Sequence, residues 1–100
     1  MKIGRLYWKE HIIEKIIGEH GVTREEVEEV IFEGSPEVRK TTKSKTGNDR
    51  YLFFGQSCGG RYLKIVLELE SKGIYVPITA LDMSDAEKQT FRKRRNKNFV

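Results

Sequence analysis

Two basic stretches hold most of the chemistry available to this chain. One contains Arg39, Lys40, Lys43, Lys45 and Arg50, relieved only by Asp49; the other is Arg92, Lys93, Arg94, Arg95 and Lys97, with no acid among them. The region before them is acidic, so the net charge of +4 and the pI near 9.3 conceal a strong asymmetry. Two cationic regions on one small domain suit a polyanion such as RNA or DNA. Arg39, Lys43 and Lys45 would share one side of an extended strand and could track a phosphate backbone, with Tyr51, Phe53 or Tyr62 available to stack on bases. The structural alternative is an edge strand guarded by lysines and a solvated basic helix end that complements the helix dipole. His20 is of the residue type that exchanges protons near neutral pH; at a helix C-terminus it would equally serve the dipole. His11 reads as a surface residue. One cysteine and two histidines nine residues apart do not make a zinc site, and neither a P-loop nor a dinucleotide fingerprint is present. Ser57-Cys58-Gly59-Gly60 reads as a turn rather than a nucleophile site. No cofactor is expected.

The elements that must position these groups follow from periodicity. Ile3 to Trp8 reads as a first strand. Ile12, Ile13, Ile16 and Ile17 recur at helical spacing, and Gly21 supplies the stop. Thr23 with Glu26 is a capping box opening a second helix, with Val22 and Val27 placed as a hydrophobic staple. Val27, Val30 and Ile31 form its apolar stripe, and Gly34-Ser35-Pro36 ends it. The period then changes to two. Arg39 to Thr46 reads as a polar strand, Gly47-Asn48-Asp49 as a turn, Tyr51 to Gln56 as an aromatic strand and Arg61 to Glu70 as an alternating one, with Leu63, Ile65, Leu67 and Leu69 on one face. Ile74 to Ala80 is a last strand, which Pro77 consigns to an edge or a bulge. Ser84 with Glu87 caps a C-terminal helix that carries the basic cluster.

This order predicts one α+β domain over residues 1–100: two N-terminal helices on an antiparallel sheet of about four or five strands, and a C-terminal helix. A single cysteine offers no internal disulfide, no stretch has the apolar length of a membrane span, and no signal peptide is evident. A cytoplasmic protein is expected.

The ordered segments His20-Gly21-Val22, Thr23-Arg24-Glu25-Glu26-Val27, Gly47-Asn48-Asp49-Arg50-Tyr51, Gly60-Arg61-Tyr62-Leu63 and Ile78-Thr79-Ala80-Leu81-Asp82-Met83 together resemble the BrnT-type toxins of prokaryotic toxin–antitoxin pairs. The likeness spans roughly residues 6 to 95. It implies a RelE-like fold, a metal-independent ribonuclease activity that inhibits translation, and a cognate antitoxin that covers the active face, with a homo-oligomer in the toxin–antitoxin complex as a further expectation. At positions matching that pattern, Arg50 and Arg61 are the candidates to stabilise charge on a scissile phosphate, with His20 as acid or base. Either arginine also reads as a surface residue paired with a glutamate. The chain departs from the pattern at Ile12, Ile16, Glu19, Leu81 and Phe91, where lysine, asparagine, lysine, arginine and tyrosine are expected. Three of these changes remove a cation, which favours the alternative of a catalytically degenerate RNA- or protein-binding module on the same fold.

Overall fold

The computed structural model describes residues 3–41 and 43–97. In chain order the elements are β1 (Arg5–Leu6), α1 (Glu10–His20), α2 (Arg24–Glu33), β2 (Glu37–Lys40), β3 (Arg50–Gln56), β4 (Tyr62–Ser71), β5 (Ile74–Asp82) and α3 (Asp85–Lys97). They form one five-stranded sheet in the order β1-β5-β4-β3-β2. Neighbours are antiparallel except β1, which runs parallel to β5. The α+β arrangement predicted from the sequence, RelE-like, is the one observed.

Local chemistry explains most boundaries. Gly21 adopts φ +63°, and its N–H donates to the Ile17 carbonyl while that of Val22 donates to Ile16. A left-handed glycine makes this closure without steric cost. Thr23 and Glu26 form both arms of the expected capping box, and the staple residues Val22 and Val27 are fully buried. Of the four stripe isoleucines of α1, Ile12 and Ile16 enter the core, whereas Ile17 is exposed. The helix therefore rests on the sheet by a narrower stripe than its sequence suggests.

Helices α1 and α2 cover one sheet face, where Phe53, Leu63, Ile65 and Leu67 are buried. Helix α2 lies close to β3 at Gly55. A Cβ there would stand 2.6 Å from Val30 Cγ1, so this contact admits only glycine without displacement. Pro77 lies at a bulge: Val66 pairs Thr79 and Leu67 pairs Pro77, so the register skips Ile78. The ladder thereby passes the residue that has no N–H.

Two strands are shorter than their sequence patterns predict. The expected strand over Ile3–Trp8 is reduced to Arg5–Leu6. The expected strand over Arg39–Thr46 is Glu37–Lys40; Thr42, inside the predicted span, lies outside the described residues. Beyond Thr41 the backbone turns on itself: Ser44 N–H donates to Asn48 O, Gly47 N–H to Ser44 O, and Asn48 N–H to Ser44 Oγ. Ser and Asn side chains offer the backbone local partners that compete with a ladder, and no apolar residue in this stretch fixes a register.

Helix α3 crosses the other sheet face. Ser84 and Glu87 cap it reciprocally. Its described apolar side chains are few, and Phe91 alone is buried, edge-on against Tyr62 with ring centroids 6.0 Å apart. Charged contacts complete the attachment: Lys64 to Glu87 at 3.0 Å, Arg94 to Glu37, and Arg95 to the Gly34 carbonyl at 2.7 Å. No helix among the described residues is long and apolar enough to cross a membrane.

Candidate nucleic-acid interface

The residues that the resemblance assigns to catalysis do not assemble. Arg61 immediately precedes β4 and points to the face covered by α1 and α2. Its Nε donates to Asp82 Oδ1 at 2.7 Å and its Nη2 to Asp82 Oδ2 at 3.0 Å. Nη1 donates to the Gly21 carbonyl at 2.7 Å and to the Glu26 carboxylate at 3.2 Å, and Nη2 also to the His20 carbonyl at 3.0 Å. A guanidinium has five N–H donors, and here all five are engaged. Arg61 therefore acts as a clasp. It satisfies the orphan carbonyls at the end of α1, neutralises the capping carboxylate of α2 and ties both to the end of β5. Its hydrogen bonds hold the Asp82 carboxyl below the usual carboxylate range.

His20 is brought to Arg61 only through its backbone carbonyl. Arg50 lies elsewhere. It faces the α3 side of the sheet and pairs with Glu68, across the ladder on β4, at 2.8 Å. That hydrogen bond, with one from Asn48, keeps the Glu68 carboxyl low. Arg50 begins β3, whereas Arg61 adjoins Tyr62, which pairs with the last residue of β3. At about 3.4 Å per residue the two arginines are roughly 20 Å apart along the sheet, and they are on opposite faces. Arg50, Arg61 and His20 thus do not share a site, and the two arginines lie toward opposite ends of the β3–β4 hairpin.

Of the expected RNA-binding cations, Arg39 alone belongs to a strand. Lys43 lies in the β2–β3 loop, 3.9 Å from Asp49, and Lys45 is exposed in the same loop. They do not line one side of a strand with Arg39, because the strand ends at Lys40. Cys58 is exposed in the β3–β4 turn, its Sγ 3.7 Å from Glu33 Oε2. Its thiol is raised above the ordinary value by desolvation, with Glu29 and Glu33 adding to the effect, the reverse of nucleophile activation. No group of three or more potential metal ligands occurs among the described residues.

A different set of residues does converge. Between the β2–β3 edge and α3 runs a groove of about 220 Å³. Phe54, Ala86 and Phe91 supply its apolar walls; Glu37, Glu87 and Arg39 supply polar ones. The register explains this: Glu37 pairs Phe54 and Arg39 pairs Leu52, which puts their side chains on the α3 face. The Arg39 guanidinium stands 5.6 Å over the Phe54 ring, and that of Arg92 stands 5.0 Å over Tyr62 while its Nε donates to the Tyr62 hydroxyl at 3.1 Å. Arg94 and Lys64 reach the groove carboxylates Glu37 and Glu87. The C-terminal basic cluster and the β2 strand, remote in sequence, thus meet where Arg94 reaches Glu37, while Arg92 covers Tyr62 outside the groove lining. The sequence showed both cationic regions but not Glu37, Phe54, Phe91 or Arg92 as site residues. The available signal for Glu37 was a strand start two residues earlier, which adds Glu37 to the face that carries Arg39.

Lys64 and the Ser84 backbone N–H fix both oxygens of Glu87, and the Ser84 bond is the main cause of its low carboxyl pKa. Glu37 differs. Its contacts from Arg39 and Arg94 all fall on Oε1, and Oε2 accepts no hydrogen bond from the described residues. No protein-family model matches the chain, and no curated protein matches it.

Proposed function

We propose that this chain is an RNA-binding module of the BrnT type, the toxin-side partner of a toxin–antitoxin pair, and that it takes single-stranded RNA in the groove between β2, β3 and α3. The observation that carries this reading is the presence of two arginine–aromatic pairs, Arg39 over Phe54 and Arg92 over Tyr62, on the sheet face that α3 crosses. Guanidinium planes over aromatic rings offer stacking surfaces to splayed bases, and the surrounding cations offer phosphate contacts. A cognate antitoxin would cover the same face and exclude RNA from it.

Fluorescence anisotropy of a labelled single-stranded RNA, titrated with protein from 50 to 200 mM salt, tests the reading. If four phosphates are neutralised, affinity should fall by roughly 50-fold over that range, from a slope of about −0.7 per contact. An affinity that is immeasurable at 50 mM salt, or indifferent to salt, would overturn it.

Cleavage of RNA is a second reading, favoured by one observation: Glu37, with an oxygen to spare, stands beside Arg39 and Arg94. A carboxylate base to take the 2′-hydroxyl proton and two guanidiniums to stabilise the phosphate charge would support metal-independent attack, with solvent water protonating the leaving 5′-oxygen. The two readings part on the recovered RNA. Binding alone returns it intact after hours with excess protein, whereas cleavage returns fragments that are absent when Glu37→Gln protein is used.

A further inference from the structure

We infer that β2 is a self-pairing edge: two copies of this chain join antiparallel along Glu37–Lys40, about a two-fold axis at Val38. The inference goes beyond the RNA reading and does not depend on it.

The open edge comes first. β2 ends the sheet, and its outer side pairs with no strand among the described residues. The opposite edge, β1, has two residues only, so β2 is the longer template. One bond fixes the direction of its backbone groups. Thr41 N–H donates to Arg50 O, one step beyond the Lys40–Tyr51 pair of the ladder. Antiparallel pairs alternate, so Arg39 and Glu37 also turn their N–H and C=O toward β3, while Val38 and Lys40 turn theirs outward. An outward row of donors and acceptors fits another strand.

The side chains say which strand. An edge lined with like charges repels its own copy, but this one alternates in sign. With Val38 facing Val38 across the axis, Glu37 of each copy stands opposite Arg39 of the other. These are the positions without ladder hydrogen bonds, where facing side chains approach most closely, and opposite charges there attract. The Val38 pair is the hydrogen-bonded one and uses the outward groups of both residues. Moving the axis by one residue sets Arg39 against Arg39 or Glu37 against Glu37. Moving it by two centres it on Lys40, where the strand ends, or on Pro36, which has no N–H to give. The charge pattern therefore selects one register, with a second copy as the occupant. Within one copy Arg39 holds Glu37 at 3.1 Å, but that pair is partly exposed and exchanging it across the axis costs little. Val38 is exposed and apolar, on the face opposite Glu37 and Arg39, and the pairing covers it. A two-fold of this kind keeps each sheet face on its own side. The grooves of the two copies, each lined by its own Glu37 and Arg39, then share one face.

Sedimentation equilibrium of the full chain, from about 5 to about 500 µM, reads the association. Wild type should pass from monomer toward dimer over that range. Glu37→Arg sets cation against cation at both cross-strand positions, and Arg39→Glu sets carboxylate against carboxylate; each should weaken the dimer by about tenfold. Mixed in equal amounts, the two variants restore an opposite charge at both positions, and a heterodimer of near wild-type affinity should form. That rescue separates a lost contact from a damaged fold, because misfolded chains regain nothing on mixing. Val38→Pro removes an outward N–H, leaves the bonds to β3 in place and should abolish the dimer. A wild-type chain that stays monomeric throughout overturns the inference. So does a dimer that tolerates both charge changes, or one that is lost in both variants and does not return in the mixture.

Discussion

Arg61→Ala should lower the unfolding free energy by about 3 kcal/mol, the scale for losing several charge-assisted hydrogen bonds together at a partly exposed site, discounted for the solvent screening of Asp82. For a domain of this size that corresponds to a fall of roughly 15 °C in Tm. The reason is the number of groups that lose their partner together. The carbonyls of His20 and Gly21, the carboxylate of Glu26 and that of Asp82 all depend on one guanidinium. Without it, two carboxylates are left near one another with no cation between them. Arg61→Lys should recover less than half of the loss, because an ammonium has three donors and no planar fork. His20→Ala should cost under about 1 kcal/mol, since the clasp uses only the His20 carbonyl. Urea denaturation of the three variants measures these values directly.

Acid dependence gives this prediction a second arm. The folded-state pKa of Asp82 is depressed by Arg61. The resulting stability is fully present above the unfolded aspartate value of about 3.9 and is lost as pH falls through the lower folded value. The stability difference between wild type and Arg61→Ala should therefore be constant near neutrality and narrow below about pH 4. An Arg61→Ala protein within about 0.5 kcal/mol of wild type at pH 7 would show that the guanidinium is not structural, and would return it to the list of groups free to meet a phosphate.

The second large effect concerns α3. Phe91→Ala should remove about 3 kcal/mol of packing, as truncation of a buried phenylalanine commonly does. The loss should be local rather than global. Among the described side chains of α3, Phe91 alone is buried, and the other attachments are partly exposed ion pairs and carbonyl contacts, which contribute little singly. Amides of α3 should lose hydrogen-exchange protection while those of β3, β4 and β5 retain it. RNA affinity should fall with them, by about tenfold, because Phe91 is a wall of the groove and Arg92 and Arg94 ride on the helix it anchors. Retained protection across α3 together with unaltered RNA affinity would contradict this picture.

Much of this architecture is legible in the residues, because it rests on local rules. Thr23 with Glu26 and Ser84 with Glu87 form capping boxes wherever their helices sit, and Gly21 ends α1 through a backbone preference that needs no partner. The alternation of Leu63, Ile65 and Leu67 identifies a half-buried strand from its own period. The site was less legible because it depends on register and on which face α3 covers. The chain signals neither locally, since α3 has so few apolar residues that its docking face is set by Phe91 and by charges on distant strands. Four of the five segments carrying the BrnT-type resemblance meet in space, but for a structural reason, and the Gly47–Tyr51 segment lies apart. His20-Gly21, Glu26, Arg61 and Asp82 come together as the partners of one clasp. Their co-occurrence therefore speaks for the fold, and a catalytic role for Arg61 does not follow from it. The departure at Phe91 lies at the buried side chain that, among those described, seals α3 to the sheet, where an apolar ring serves packing.

The most direct measurement is an amide chemical-shift titration of isotope-labelled protein with a short single-stranded RNA. Resonances of Arg39, Phe54, Phe91 and Arg92 should move in step with added RNA, while those of His20, Gly21 and Arg61 stay where they are. Movement confined to His20, Gly21 and Arg61, with the groove between β2, β3 and α3 silent, would place RNA on the opposite face and contradict the account.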